Sequence, residues 1–404
     1  MTAKGEAWLV DLTRLASRIG HGPMTGVDRV EHAYLRELMR RDVTLFALVQ
    51  SAIGFLLLDR AGVARLAALV EGRETAPRAR RLERLLRRDQ PARADAEALL
   101  RRAAVARAPA PLLARMLRRH LPAGMRYLNL GHANLTPRVF AAVHAVPGAR
   151  AGVLVHDVIP LDHPELTRVG IPEVFARKMA AVAAGADLVI HTTHAGRQRD
   201  EAQLARLGRV PAGRVAQLGM EPAAPAPEEV PPDLDLASPY FVVLGTIEPR
   251  KNHALLLDAW ERMPQGPRLL VLGGRGWRNE TVFRRLDGLA AGGRVVERRG
   301  LSDGAVAAVL SGARALLFPS FAEGTGLPAL EAAALGVPVV CSDLPELREV
   351  MGDYPVYLAP TDGYAWSEVI GLIEQAGGSS RDRGARFVLP SWEDHFKTTL
   401  SPDW

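Results

Sequence analysis

Residues 318–343, FPSFAEGTGLPALEAAALGVPVVCSD, read as a strand end, a loop, a helix and a second strand arranged around two carboxylates. The apolar run ARALLF closes at Phe318, and Pro319 ends it because proline has no N–H with which to continue a ladder. In the loop that follows, Gly324 and Gly326 flank Thr325 and let the backbone approach a ligand with no Cβ in the way. Pro328 suits the first turn of a helix, residues 332–335 favour its continuation, and Gly336 stands where a C-terminal cap belongs. Residues 337–341 then make the next buried strand. A helix entered from such a loop turns unpaired N–H groups and the positive end of its dipole toward the crevice above the strands, a setting that suits phosphate or sugar oxygens.

Glu331 lies in the first turn of that helix and Glu323 on the loop rim. Taken alone, Glu331 complements the helix dipole and Glu323 is a solvated loop residue. The whole run, PSxxEGxGLPxLEAxxxGxPVV, resembles the Glu-x7-Glu signature of retaining nucleotide-sugar glycosyltransferases of family 4. That resemblance implies the α/β GT-B fold, two Rossmann-like domains facing a central cleft. It also implies that Glu331 holds the ribose hydroxyls of the nucleotide, while Glu323 and the amides of Gly324, Thr325, Gly326 and Leu327 grip the donor sugar.

A second motif, GTIEPRKN at residues 245–252, follows the apolar strand YFVVL directly. Gly245 ends the strand, and Arg250 and Lys251 stand at the mouth of a helix, where two adjacent cations can neutralise a diphosphate. The segment resembles the phosphate-binding loop of family 4, usually a Gly-Arg pair followed later by Lys-Gly. Here Thr246 stands where the arginine commonly stands and Asn252 replaces the glycine. The related Glu-Pro-Arg-Lys-Asn form suggests that Arg250 supplies the guanidinium instead.

The first half of the chain repeats the alternation of strand and helix that argues a parallel, doubly wound sheet. Residues 7–12 read as a strand, and Gly20, Gly22, Pro23 and Gly26 as a glycine-rich turn before a helix over 27–40. The run PMTGVDRVEHAYLREL resembles the cleft-lining loop and first helix of some family 4 transferases, although a plain strand-to-helix connection explains it equally well. Strand-like segments at 125–130, 151–156 and 186–191 place Asn129, His132 and Asn134, then His156 and Asp157, then Thr193 and His194 at the crevice. VLVHDVIPLDHPE resembles the family's His-Asp strand end, in which the histidine approaches the donor sugar and the neighbouring cleft admits the acceptor. His156 is favoured for function on that basis, with Gly26, Asp157, Asn129 and His132 as further cleft residues.

The chain has 404 residues, enough for about two domains, with 48% hydrophobic and 24% charged residues. The net charge of +6 invites thoughts of nucleic acid, but only four of the 51 basic residues are lysine, and no nucleic-acid-binding motif accompanies the arginine excess. Cys341 is the single cysteine, which excludes an internal disulfide or a cysteine-based zinc cluster and fits a reducing cytoplasm. The first fifteen residues lack the order of a signal peptide, and residues 43–58, the most apolar stretch, are broken by Gln50, Ser51 and Gly54. Residues 61–120 are rich in alanine and arginine, with Leu82, Leu85 and Leu86 on one side of a helix and Arg80, Arg81, Arg84, Arg87 and Arg88 around the rest. Such a helix can rest on anionic lipid, which suits a lipid-linked acceptor, yet solvated helices packed on the first domain are the favoured reading.

The expected organisation is an N-terminal acceptor-side domain over residues 1–222, a proline-rich linker over 223–239, a donor domain over 240–385, and a terminal helix within 386–404 that crosses back. The expected reaction moves a sugar, mannose first by likeness to the Glu-Pro-Arg-Lys-Asn members, from a nucleoside diphosphate to a hydroxyl of a carbohydrate or lipid-linked acceptor, with retention. Glu323, His156, Arg250 and Lys251 would carry it with no metal and no other cofactor. A non-catalytic protein of the same fold and a sugar-nucleotide epimerase are the alternatives.

Overall fold

YFVVL at residues 240–244 has no polar face, so it must be covered on both sides, as a central strand of a parallel sheet is. In the computed structural model, which describes residues 6–22, 24–81, 84, 87–289, 293–376 and 387–401, this segment is β9 (Tyr240–Leu244) at the centre of a six-stranded sheet. Its companions are β10 (Arg268–Leu272), β11 (Val295–Arg298), β12 (Leu316–Phe318), β13 (Val339–Ser342) and β14 (Val356–Leu358), in the order β11-β10-β9-β12-β13-β14 and parallel throughout. Apolar clusters cover both faces, one around Phe318 and Leu330, the other around Trp260 and Trp366.

An eight-stranded sheet precedes it: β1 (Ala7–Asp11), β2 (Thr44–Ser51), β3 (Gly54–Leu58), β4 (Ala106–Ala108), β5 (Arg126–Asn129), β6 (Arg150–Val155), β7 (Leu188–His191) and β8 (Ala212–Val215), ordered β4-β3-β2-β1-β5-β6-β7-β8. This sheet is not parallel throughout. β2 and β3 form an antiparallel hairpin and β4 pairs antiparallel to β3, because only Ala52 and Ile53 separate the first two strands and a two-residue turn cannot make a parallel crossover. Gly54, at φ 128°, lies so close to the Ala108 carbonyl that a Cβ would stand 2.3 Å from it, which favours glycine there.

Both sheets reverse strand order once, between β1 and β5 and between β9 and β12, and loops leaving the carboxyl ends of those strands meet in the crevice between the two units. The proline-rich segment is not a free tether: Leu234 is buried in the second core and the Ala226 N–H donates to the Gly304 carbonyl. Of the arginine-rich region, Leu82, Leu85 and Leu86 lie outside the described residues, as does Pro23. Arg84 pairs with Asp95, and Arg87 and Arg93 with Glu97, so these cations are engaged by carboxylates of the fold. Among the described residues no helix is long and apolar enough to cross a membrane.

The last helix, Trp392–Thr399, returns to the first unit. His395 donates its Nδ1–H to the Gln217 carbonyl at 2.9 Å and accepts the Tyr34 hydroxyl at Nε2, 2.7 Å away, while Trp392 stacks on Phe396. Gly219 makes this docking sterically feasible, since a Cβ there would come within 2.3 Å of the Trp392 nitrogen. Gly219→Ala is therefore expected to destabilise the protein by about 1–3 kcal/mol through overpacking. Chemical denaturation of parent and variant measures this; equal midpoints would mean the helix is not seated against residue 219.

Candidate functional site

β12 stops at Phe318 and the chain turns through Ser320 to Gly326, which caps the helix Leu327–Ala334 in the left-handed region at φ 77°. A Cβ on Gly326 would fall 2.3 Å from Leu347 Cδ2, so that side chain would have to shift to admit one. The loop delivers Glu323 inward rather than to the rim. Its side chain is only 7% exposed and lies between two cations: Oε1 is 2.6 Å from Lys251 Nζ and Oε2 is 2.9 Å from Arg250 Nη1. Burial alone would raise its carboxyl; the Arg250 and Lys251 charges overcome that and hold it at about 2. Arg250 also pairs with Glu248 and donates to the Ala322 carbonyl at 2.9 Å, and Lys251 packs over the Phe318 ring at 4.5 Å.

Lys251 and Glu323 are 72 residues apart in sequence and meet because β9 and β12 are neighbours at the switch point. Asn252 fixes the cationic loop. It adopts φ 53°, a conformation that Gly and Asn tolerate best, and its side-chain amide donates to the carbonyls of Pro319 at 3.2 Å and Pro360 at 2.8 Å. Asn252 thus suits the left-handed turn it occupies, and its side chain adds two ties between loops. Gly245, at φ 140°, lies beneath Lys251, so its role is to let β9 turn under the lysine stem rather than to wall the cavity.

The first unit supplies the opposite wall. His156 and Asp157 follow β6, and Gly324 meets them so closely that a Cβ would stand 2.5 Å from the His156 carbonyl oxygen. His156 donates Nε2–H to the Leu130 carbonyl at 2.7 Å; burial pulls its pKa down to about 4, so the ring is neutral at pH 7. Asp157 accepts the Ile159 N–H at 3.1 Å, and its carboxyl is raised by burial against the pull of Arg250. Gly26 abuts the Leu327 side chain. Glu331, half-buried on the helix Leu327–Ala334, is bonded by Arg29 of the helix Gly26–Arg40, and the same guanidinium reaches Asp303 at 2.8 Å. Burial raises the Glu331 carboxyl and the Arg29 charge opposes that rise.

Together these groups enclose a cavity of about 340 Å³, within the range of small-molecule sites. Gly26, His156, Asp157, Arg250, Lys251, Glu323, Gly324, Thr325, Gly326, Leu327 and Glu331 all line it. Asn129 and His132 do not. Asn129 is fully buried, its amide bonded to the Tyr127 hydroxyl and the Ala133 carbonyl. His132 donates to the Leu154 carbonyl at 3.0 Å and sets its ring 5.2 Å from that of His156, so it backs the cavity wall without facing the cavity. His194 lies at the start of another helix, where its N–H meets Glu349 of the second unit at 2.7 Å. Arg29 and Asp303 also line the cavity, and neither was singled out by motif. The available signal was spacing, since Arg29 comes one helical turn after Gly26. Among the described residues no group of three or more histidine, cysteine or acidic side chains is placed to hold a metal ion.

Two solved structures share this architecture over nearly their whole length. Alr3699/HepE of Anabaena, in complex with UDP and glucose, superposes with a TM-score of 0.61 at 14% identity, covering 98% of this chain and 95% of that one. Sucrose-phosphate synthase of Thermosynechococcus elongatus gives 0.60 at 18% identity, covering 96% of both chains. The fold is GT-B. Residues 238–373 match the family described as Glycosyl transferases group 1. Serotype-specific mannosyltransferase WbdA of Escherichia coli is 30% identical over 266 residues, 60% of this chain and 33% of that protein. O-antigen chain mannosyltransferase B of Escherichia coli is 38% identical over 127 residues, 30% of this chain and 33% of that protein. The chain thus spans about a third of the length of the curated relatives it matches.

The buried ion cluster carries its own prediction. Glu323→Gln keeps the shape but leaves Arg250 and Lys251 without their shared anion, so stability at pH 7 should fall by about 3–5 kcal/mol. Because the folded carboxyl titrates near 2, against 4.5 unperturbed, the stability it confers is complete above pH 4.5 and is lost as the pH falls toward 2. The gap between parent and variant in denaturant unfolding should therefore narrow below pH 4.5. A gap that is small at pH 7, or that does not narrow in acid, would mean that Glu323 is not the counter-ion of this pair.

Proposed function

We propose that this protein is a retaining glycosyltransferase of the family 4 type, transferring mannose from a guanosine diphosphate donor to a hydroxyl of a surface-polysaccharide acceptor, carried free or on lipid. The observation that carries the reading is the Lys251–Glu323–Arg250 cluster at the switch point of the second sheet, opening on a cavity whose far wall is His156 and Asp157. In this reading Arg250 and Lys251 receive the diphosphate, Glu331 the ribose, and Glu323 with the Gly324–Gly326 backbone the sugar hydroxyls. Mannose is favoured by the relatives whose names carry mannosyltransferase and O-antigen, and by the Glu-Pro-Arg-Lys-Asn loop. A lipid-linked acceptor would bring the protein to the inner face of a membrane.

The chemistry asked of the site is modest. The bond between the anomeric carbon and the leaving phosphate oxygen breaks as the acceptor oxygen bonds the same face, and the acceptor proton passes to a phosphate oxygen. The barrier falls chiefly through stabilisation of negative charge on the departing diphosphate, which fixed, already desolvated cations can do without reorganising. No metal or other cofactor enters this scheme. Neutral His156 would orient donor or acceptor through hydrogen bonds rather than carry charge.

A thermal-shift panel of nucleotide sugars tests the donor, since a ligand at 100 times its dissociation constant adds about 2.7 kcal/mol. GDP-mannose should give the largest shift and turn over with a polysaccharide-derived acceptor. Binding without transfer or hydrolysis would leave a binding protein of the same fold. Lys251→Ala and Arg250→Ala should each lose roughly 1.5–3 kcal/mol of transition-state stabilisation, about tenfold or more in rate. Turnover within twofold of the parent in both variants would remove the diphosphate assignment. Chelator should leave the rate unchanged; loss restored by magnesium or manganese would count against the scheme.

A further inference from the structure

Arg29 belongs to the first unit, yet both of its ion-pair partners belong to the second. Its Nη1 bonds Glu331 Oε1, and its Nη2 lies 2.8 Å from Asp303 Oδ1. Asp303 opens the helix Asp303–Ser311, so one planar guanidinium ties three helices together. Arg29 and Asp303 are 37% and 47% exposed, so that pair adds little to stability, while Glu331, at 16%, is the half-buried partner whose charge the guanidinium offsets. Stability from the exposed pair alone gives no sufficient reason for the arrangement. Its position does, because Arg29, Asp303 and Glu331 all line the cavity.

Other contacts also close the crevice, among them Arg199 with Glu346 and Arg278 with the Thr167 carbonyl. None of those four residues lines the cavity. Arg29 differs in ending on the carboxylate that the reading above assigns to the ribose. Without it, Glu331 and Asp303 would be two neighbouring acids, one of them half-buried. With it, Glu331 is neutralised and aimed from across the cleft. A carboxylate offers about four acceptor directions, so a ribose hydroxyl can bond Glu331 while the guanidinium stays in place.

We propose that Arg29 is a positioning residue of the donor site: supplied by the opposite domain, it orients Glu331 toward the nucleotide from across the cleft. This rests on the donor-site reading of Glu331. The role demands a fork, since two donors at fixed separation serve the two acids, whereas a lysine at the same position offers one point charge.

Calorimetric titration of GDP into the parent, Arg29→Ala, Arg29→Lys, Glu331→Gln and the Arg29→Ala/Glu331→Gln double variant tests it, with a melting curve for each to show that it is folded. Arg29→Ala should weaken GDP binding about five- to twentyfold, Arg29→Lys should recover part of that loss, and Arg29→Ala should change affinity less than twofold when Glu331 is already glutamine. An undiminished effect of Arg29→Ala in the Glu331→Gln background would overturn the proposal while leaving the donor site intact. So would tighter binding by Arg29→Ala, which would make Arg29 a plug that the nucleotide displaces. If GDP binds Glu331→Gln as well as it binds the parent, or if neither GDP nor UDP nor ADP binds the parent, the donor-site reading itself falls and this proposal falls with it.

Discussion

Everything at this cleft depends on one buried carboxylate held between two cations. Moving Glu323 and Lys251, and most of Arg250, out of water costs several kcal/mol per ion, and only close pairing with further hydrogen bonds offsets it. The pairing is close, and Glu248 and the Ala322 carbonyl engage what remains of the guanidinium. The cluster forms because β9 and β12 lie side by side where strand order reverses, so that loops from distant parts of the chain reach one crevice. The cations are largely desolvated before any ligand arrives, and Glu323 occupies the place of an anion. An incoming anion would share or take over those cations, and the carboxylate would then need hydroxyl donors, which a sugar carries.

Close backbone approach is the second constraint, and glycine is what permits it. Gly324 lies against the His156 carbonyl and Gly26 against Leu327, so the walls of the cavity come from different units yet touch through residues with no side chain. An alanine at either position would separate the walls or displace a neighbour. The same economy shapes the floor: Gly273 packs on the Gly245 carbonyl so tightly that a Cβ would be 2.0 Å from that oxygen, bringing the loops after β9 and β10 together beneath Lys251.

Local patterns gave away most of the fold and half of the site. The strands of the second sheet, the loop at Glu323 and the cationic turn at Arg250 and Lys251 are legible because apolar runs, prolines and glycines mark them within a few residues of one another. The burial of Glu323 is not legible that way, since Lys251 lies 72 residues earlier, next to Arg250, and only sheet order brings them near. Arg29 is hidden more deeply, 302 residues from Glu331 and on the other unit. Asn129 and His132 show the opposite failure. Their place at a strand end suggests the crevice, but His132 and Asn134 adopt φ of 56° and 55°, and this left-handed turn carries the ring back toward the Leu154 carbonyl. The β2–β3 hairpin escaped the parallel reading because strand-like runs alone do not state direction; the two-residue connection does.

Charges of both signs line the cavity, with Arg29 and Asp157 on the first unit and Asp303, Glu323 and Glu331 beside the two cations of the second, and it is around Arg250 and Lys251 that the field is lopsided. The second unit presents Arg250 and Lys251, while the nearest histidines of the first unit, His156 and His132, are kept neutral by burial, each donating Nε2–H to a strand carbonyl. Protonation of either ring would put a second positive centre opposite the first and weaken the preference for negative charge to gather at one wall. Asp157 reinforces the gradient, because its carboxylate faces Arg250 from the first unit. A reaction in which charge accumulates on one fragment while a neutral hydroxyl approaches from the other side is the kind that such a field favours. Neutral His156, backed by His132 behind the wall, is therefore as much a part of the site as the cations across from it.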